Sequence, residues 1–337
     1  MNRKYEKKPT IKDIADKAKV SKSTVSRVIN NSRSVNEKKR KAVLAAMKKL
    51  DFRPNQLARG LAGGRSNTIG VVTHDIGSPF YDSVARGVAI ELGESPYSPI
   101  FVDGQWHDEV EENAIHTLIE RRVDGLILIG GTVSQKKLNK IRDEIPLVVA
   151  GREISDWEDS CFYIDNFAGS YEATKYLIDS GHTEIAFISG IKNHQDAIRR
   201  KKGYTQALKD SGIEVNEALM FEGDFRAPSG VLAAESLLNR STRFSAIFAS
   251  NDEMAIGARL YLYRRGIRVP EDISVVGFDD QPTSAFVTPP LTTVRQPAFE
   301  LGGAAAKALV HLLDDKPYEL PELSTKLIIR ESVARRK

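Results

Sequence analysis

From residue 67 onwards, short apolar runs alternate with stretches that have helical periodicity. Apolar runs of three to five residues are typical of strands that are buried on both faces of a parallel sheet. Their alternation with helices favours parallel sheets joined by right-handed crossovers. The predicted strands are 69–72, 125–129, 147–150, 185–188, 246–248 and 274–278, and the predicted helices are 81–92, 108–121, 167–180, 199–211, 229–238 and 254–265.

This alternating region is too long for one compact sheet, so we expect two lobes with a cleft between them. Ligands of open parallel sheets bind beyond the carboxyl ends of the strands. The sequence therefore predicts a ligand site where the strand ends of the two lobes meet.

The first 65 residues differ sharply in charge from the rest. They contain 19 Lys and Arg against 5 Asp and Glu, whereas residues 66–337 contain 30 basic and 40 acidic residues. The whole chain therefore has a net charge of only +4. A basic segment joined to an acidic body is typical of a module that binds a polyanion. A solvated basic tail is the alternative that charge alone leaves open.

Helical periodicity in the basic segment argues against a tail. Thr10 and Asp13 form a capping-box-like start for a first helix, Ser21 is placed to cap a second, and Asn36 a third. Two short helices with a tight turn, followed by a third, make a helix-turn-helix unit. The apolar positions that support it are Ile11, Ile14, Ala15, Ala18, Val25, Val28, Ile29, Val43, Leu44, Met47 and Leu50.

The second helix of such a unit enters the major groove of DNA. Lys22, Ser23 and Arg27 fall on its outer face, and arginine can bond guanine in bidentate fashion, worth about 1–3 kcal/mol of base discrimination. An ordinary three-helix domain with a solvated basic face remains the alternative. The other predicted DNA contacts of the head are Thr10, Thr24, Ser26 and Asn30, with Ser32 as a further phosphate contact.

Three motifs in fixed order make the chain resemble the lactose/galactose-repressor family of transcription regulators. They are VSKSTVSRVIN, FRPNQLARGL and SNTIGVV, within a match that runs without a gap from Thr10 to Val72. Later blocks such as HDIGSPFYDSVARGV, FASNDEMAIGA and TPPLTTVRQP extend the resemblance over almost the whole chain. It implies an all-α helix-turn-helix head plus an α/β periplasmic-binding-protein-like core of two lobes.

The resemblance implies three segments: a head at 1–53, a hinge at 54–65 and a core at 66–337. In the core, one lobe is expected at about 66–163 and 291–325, and the other at about 164–290 and 326–337. The hinge is expected to fold on DNA, with Asn55 and Ala58 at the contact and Leu61 wedged between base pairs. Gly60 departs from the family's usual serine, and glycine weakens a helix by about 0.5–1 kcal/mol.

The resemblance also places an effector in the cleft, where arginine, amide and carboxylate groups can bond paired hydroxyls while flat rings cover a sugar face. Arg152 lies beside a family position that often carries an acidic residue, here Gly151. His194 is expected to be an exposed loop residue, although His194 and Asp196 are also weighed as cleft residues. The predicted effector contacts are Phe80, Tyr81, Arg152, Arg200, Phe225, Asn251, Asp279 and Gln296.

Together these features imply a transcription regulator, expected to be a repressor, that binds near-palindromic operator DNA as a homodimer and responds to a small effector, expected to be a sugar. We expect a dimer and not a tetramer, since the sequence shows no leucine heptads after the core. We expect no cofactor, metal, enzymatic activity or membrane association, and a cytoplasmic protein, since signal-peptide, membrane-span and catalytic motifs are missing. The alternatives are a regulator that answers to a partner protein or a non-sugar metabolite, and a sugar-binding protein without a regulatory role.

Overall fold

The structure is a computed structural model that describes residues 9–29, 34–52, 65–157, 160–240, 242–319 and 321–336. Residues 54–64 of the predicted hinge lie outside this part, and with them the predictions for Asn55, Ala58, Gly60 and Leu61. The predictions for Asn30 and Ser32 lie outside it too.

The head is all-α, as predicted, with helices α1 (Ile11–Ala18), α2 (Lys22–Ile29) and α3 (Glu37–Lys49). The Thr10–Asp13 capping box starts α1, the Ser21 hydroxyl accepts the Thr24 N–H at 3.2 Å, and Asn36 Oδ1 accepts the Lys38 N–H at 2.8 Å. These caps satisfy helix-terminal N–H groups that have no intrahelical partner. The buried centre of the head consists of Ile14, Ala15, Val25, Val28, Val43 and Ala46.

Two predicted apolar positions of the head, Ile11 and Leu44, lie outside its core. Ile11, at the start of α1, is 38% exposed, and Leu44 is 50% exposed because the inward face of α3 is formed by Val43 and Ala46. The helix period allows only one such stripe to face α1 and α2.

The first lobe of the core is built on a five-stranded parallel sheet with strand order β2-β1-β3-β4-β5. Its strands Gly125–Ile129 and Leu147–Ala150 are apolar along their whole length and fully buried, as helices on both faces require. The elements are β1 (Thr68–Thr73), α4 (Pro79–Gly93), β2 (Ser98–Asp103), α5 (Asp108–Glu120), β3 (Gly125–Ile129), α6 (Gln135–Glu144), β4 (Leu147–Ala150) and β5 (Cys161–Phe162).

The second lobe is built on a four-stranded parallel sheet with strand order β7-β6-β8-β9. Two apolar clusters cover its two faces. The elements are α7 (Asn166–Asp179), β6 (Ile185–Ser189), α8 (Gln195–Asp210), β7 (Met220–Glu222), α9 (Ala227–Asn239), β8 (Ala246–Ala249), α10 (Asp252–Arg264) and β9 (Ser274–Val276), with 3₁₀ turns at Glu217–Leu219 and Pro282–Ala285.

After the second sheet the chain returns to the first lobe. Helix α11 (Ala298–Leu313) packs on α4 so closely that a Cβ on Gly87 would lie 2.1 Å from the Phe299 carbonyl oxygen. Strand β10 (Thr293–Arg295) precedes it and pairs antiparallel with β11 (Lys326–Ile328). The two-lobe α/β architecture of the core is therefore confirmed.

No helix in the described part of the chain is both long and apolar enough to cross a membrane.

Candidate functional site

The outer face of α2 carries the side chains predicted to read DNA bases. Lys22, Ser23 and Arg27 are exposed, whereas Val25 and Val28 are buried against α1 and α3. The buried side therefore fixes the helix while a basic and hydroxyl-bearing face remains open to a partner. This is the arrangement that a major-groove recognition helix needs.

Two of the remaining predicted head contacts, Thr10 and Thr24, have hydrogen-bond partners within the head. The Thr10 hydroxyl bonds Asp13 Oδ2 at 2.7 Å, and the Thr24 hydroxyl lies 2.9 Å from that of Ser21. Thr24 and Ser26 are half-buried, and Thr10 is exposed. Thr10 lies at the start of α1 and Thr24 in the first turn of α2, where their backbone and hydroxyl groups can contact phosphate without reading bases.

In the core, loops that follow the strands of both sheets converge on one cleft. Six of these loops leave the carboxyl ends of parallel strands, so the side chains of these loops meet in the cleft. The cleft encloses a cavity of about 100 Å³. It is lined by Asp75, Ser78, Phe80, Tyr81, Trp106, Ile191, His194, Asp196, Arg200, Asp224, Phe225, Arg226, Asn251, Asp279 and Gln296.

Arg200 is the central cation of the cleft and is almost fully buried on α8. Its Nε donates to Asn166 Oδ1 at 2.7 Å, its Nη1 donates to the Ser250 carbonyl oxygen, and its guanidinium lies 3.9 Å above the Phe278 ring. Its Nη1 also lies 3.7 Å from Asp279 Oδ1. The guanidinium is thus fixed in one orientation before any ligand arrives.

Asp279 supplies the matching acceptor. Its Oδ1 accepts from Gln296 Nε2 at 2.6 Å, which brings a residue of the crossover segment to the cleft. Burial raises the pKa of Asp279 to about 6, although the nearby Arg200 opposes this shift. At neutral pH the carboxylate is therefore ionised and able to accept ligand hydroxyls.

A second buried carboxylate, Asp252, lies behind Asp279 at the start of α10. It accepts bonds from Ser284, Thr293 and the Gln281 N–H, and burial raises its pKa to about 7. It does not line the cleft, so its role is to hold the loop that carries Asp279.

Three side chains of the cleft are presented by strained backbone. Trp106, Phe225 and Asp279 have φ values of 56°, 67° and 113°, in a region that non-glycine residues rarely occupy. Such strain costs about 1–3 kcal/mol per residue and is concentrated at functional sites. The strained positions mark the ring-bearing and acceptor walls of the cleft.

His194 was expected to be exposed, and that expectation is wrong. Its side chain is only 8% exposed, its ring lies 4.0 Å from that of Trp106 and 5.2 Å from that of Phe225, and its Nδ1 accepts the Asp196 N–H at 3.2 Å. The loop folds inward because the ring packs between aromatic groups of both lobes. Burial lowers the pKa of His194, which keeps the ring neutral.

The side chains of two predicted effector residues bond backbone groups of neighbouring loops. Arg152 does not line the cleft cavity; its Nη1 donates to the carbonyl oxygens of Gly131 and Val133, at 3.3 and 2.7 Å. Asn251 lines the cleft, but its Oδ1 caps α10 through the Met254 N–H and its Nδ2 donates to the Phe225 carbonyl oxygen. Arg152 and Asn251 thus hold loops, while Phe80, Tyr81, Arg200, Phe225, Asp279 and Gln296 line the cavity together.

Six of the lining residues were not considered in the sequence analysis. Asp75, Ser78 and Trp106 follow strands of the first lobe, Ile191 follows β6, and Asp224 and Arg226 flank Phe225 in the second lobe. Asp75 and Arg226 meet across the cleft at 2.9 Å. The position after a predicted strand was a usable signal for Asp75, Ser78 and Ile191. It was not one for Trp106, Asp224 and Arg226, because neither β2 nor β7 was predicted.

The cleft combines one oriented guanidinium, several carboxylates and flat rings, which suits a ligand with paired hydroxyls and an apolar ring face. Among the described residues there is no group of three or more His, Cys, Asp or Glu side chains suited to a metal ion.

Known proteins are similar to this chain over almost its whole length. The model of the bacterial regulatory proteins of the lacI family matches residues 10–55, and the periplasmic binding protein-like domain matches residues 174–333. The chain is 34% identical to catabolite control protein A of Priestia megaterium and 36% identical to the ribose operon repressor of Escherichia coli (strain K12). Each match covers 96% of this chain and 98% of the relative.

A solved structure of the lac repressor dimer bound to operator and an anti-inducer superposes with a TM-score of 0.86 at 29% identity, over 97% of this chain and 100% of that one. The relatives are transcription regulators, and the match includes both the head and the cleft-bearing core. The chain is a DNA-binding transcription regulator with an effector-binding core, and it belongs to the lacI family of bacterial regulatory proteins.

Proposed function

We propose that the chain is a repressor that binds operator DNA as a homodimer and releases it when a sugar occupies the cleft. The observation that carries the proposal is the buried Arg200–Asp279 pair, held ready between flat rings at the strand ends of both lobes. The name of the ribose operon repressor and the operator-bound lac repressor dimer support it.

In this proposal residues 1–53 bind DNA, 54–65 act as the hinge, and 66–337 hold the effector and form the dimer. Lys22, Ser23 and Arg27 read bases. The further DNA contacts are Thr10, Thr24, Ser26 and Asn30 in the head and Asn55, Ala58 and Leu61 in the hinge. Effector binding changes the relation of the two lobes, and this change alters the grip of the paired heads on DNA.

The proposed dimer surface lies on α10 and the turn that follows β9. Leu260, Tyr263 and Phe286 are 43%, 81% and 84% exposed beside a groove that Ile267 and Val287 also line. Large apolar side chains that cluster on a surface usually mark an interface. The second copy of this chain is the proposed occupant, in line with the dimeric lac repressor structure.

Selection from a random duplex pool, followed by titration of the selected duplex at fixed salt, tests the proposal. We expect a near-palindromic duplex to bind far more tightly than random competitor, and at least one sugar to weaken that binding. A protein without preference for any duplex, or a preferred duplex whose affinity no sugar changes, contradicts it.

A further inference from the structure

Trp106 occupies a position in the cleft that its loop is built to maintain. It follows β2, and both Gln105 and Trp106 have left-handed φ values, 52° and 56°. The Asp103 carboxylate supports this backbone: its Oδ1 accepts the Gln105 N–H at 2.9 Å and its Oδ2 accepts the Ile76 N–H at 3.1 Å. One carboxylate therefore fixes the loop of Trp106 and the loop after β1 together.

The Trp106 indole closes the cleft between the lobes. On its own lobe it stacks on buried His74, with ring centroids 4.5 Å apart, and meets Tyr81 edge-on at 5.8 Å. Across the cleft it contacts His194 at 4.0 Å, and His194 in turn contacts Phe225 at 5.2 Å. A continuous row of rings, Trp106–His194–Phe225, thus forms one wall of the cavity.

This wall leaves little room. The cavity has a volume of about 100 Å³, whereas pockets for drug-sized ligands measure about 300–1,000 Å³. This volume leaves no space for a second ring unless Trp106 or His194 is displaced.

The charges of the cleft disfavour an anionic ligand. Asp75, Asp196, Asp224 and Asp279 line it, against two arginines. Arg226 already pairs with Asp75, and Arg200 faces Asp279 and donates to the Ser250 carbonyl oxygen. A phosphate group would meet more carboxylates than cations, and its desolvation would not be compensated.

We propose that Trp106, together with His194, determines effector specificity by limiting the cleft to a single uncharged ring that carries neighbouring hydroxyls. Disaccharides are excluded by the ring wall, and phosphorylated sugars by the carboxylates. This inference rests on the proposed function and narrows its ligand class.

The chain contains two tryptophans, Trp106 and Trp157. Trp157 is buried and donates its indole N–H to Asn139 Oδ1 at 2.9 Å, away from the cleft lining. In a Trp157→Phe variant of the full chain, Trp106 is the sole indole, and its emission reports directly on the cleft.

The test titrates that variant with neutral pentoses and hexoses, with ribose 5-phosphate and glucose 6-phosphate, and with cellobiose. We expect saturable changes in emission with at least one neutral monosaccharide and none with the phosphates or cellobiose. By calorimetry, Trp106→Ala should weaken the monosaccharide by about tenfold or more and admit cellobiose. Trp106→Phe, which keeps a flat ring, should retain the wild-type order of ligands and serves as the matched control.

A sugar phosphate or disaccharide that binds wild-type protein as tightly as the best monosaccharide overturns the inference, as does an unchanged order of ligands in Trp106→Ala. If the sugar phosphate or disaccharide that binds also changes the affinity for operator DNA, the proposed function stands and only the proposal on ligand specificity fails. If no carbohydrate of any class shifts emission or operator affinity, both fail.

Discussion

Arg200 Nη1 lies 3.7 Å from Asp279 Oδ1, and both side chains are more than nine-tenths buried. Charges so close in a low-dielectric interior are stable only as a pair, because each compensates the desolvation of the other. Gln296 and Asn166 complete the network by bonding the carboxylate and the guanidinium. The same two residues therefore contribute to the stability of the core and line the cleft that is proposed to bind the effector.

The first prediction concerns the energetic coupling of this pair. Removing one partner leaves a buried charge alone, so Arg200→Met should lower the free energy of unfolding by about 3–5 kcal/mol. Arg200→Met combined with Asp279→Asn should recover a large part of that loss. Urea unfolding of the two single variants and the double variant measures the coupling. Losses that simply add would contradict a coupled pair.

Effector affinity should depend on pH through Asp279. Burial raises its pKa to about 6, so the ionised acceptor dominates above that pH and is lost below it. If the ligand binds only the carboxylate, affinity should fall by about tenfold for each pH unit below the pKa. Calorimetry between pH 5 and 8 checks this. The Asp279→Asn variant should bind the effector weakly, and its affinity should not change near pH 6. If its affinity still changes near pH 7, the pH dependence belongs to Asp252.

Gly190 should be required for effector response but not for DNA binding. A Cβ at this position would lie 1.9 Å from Phe225 Cζ, so Gly190→Ala must displace the ring from the cleft. We expect a loss of effector affinity of about tenfold or more with unchanged operator affinity. Gly93→Ala is the matched control, since nothing lies within 4 Å of its Cβ. Equal effector affinity in both variants would refute this role of Gly190.

Arg27 should carry base discrimination. It is exposed on α2, opposite the buried Val25 and Val28, so its replacement by alanine leaves the fold of the head intact. Arg27→Ala should cost about 1–3 kcal/mol on the selected operator and relax the preference at one base pair. Lys48→Ala, an exposed charge near the end of α3, should instead weaken specific and random duplexes alike. Competition binding at two salt concentrations separates the outcomes.

Tyr263 should belong to the dimer surface. It is 81% exposed beside the groove on α10, and a carboxylate introduced there would be desolvated in an interface. Tyr263→Asp should shift sedimentation velocity profiles towards monomer and weaken operator binding. Leu312→Asp, on an exposed position of α11 outside that groove, should leave the profile unchanged. A stable Tyr263→Asp dimer would place the interface elsewhere.

The elements that could be predicted are those whose residue pattern is compatible with only one kind of secondary structure. β3 and β4 are uniformly apolar and were predicted with their observed bounds, and the caps at Thr10, Ser21 and Asn36 were read from residue type and spacing. β2 was not predicted, because Ser98–Asp103 begins with serine and proline at a sheet edge and is only half-buried. α6, with Leu138 and Ile141 as its buried residues, was not predicted either.

The alternation of strands and helices predicts where the candidate site lies, whereas its individual residues come from the family resemblance. Arg200, Phe225 and Asp279, which the resemblance implies, line one cavity. Trp106 and His194 were not selected as contacts, because their role depends on two distant loops facing each other across the cleft. The resemblance also implies Arg152 as an effector contact, yet the nearby carbonyl groups of Gly131 and Val133 bind its guanidinium.

The Asp103 carboxylate bonds the loop of Trp106 and the loop that begins at Ile76, beside Asp75. A substitution at Asp103 touches no ligand, yet it would shift the ring that limits ligand size together with the loop beside an acidic lining residue. A single substitution at Asp103 would therefore change size and charge selection at once, whereas a substitution at Trp106 would change size selection alone.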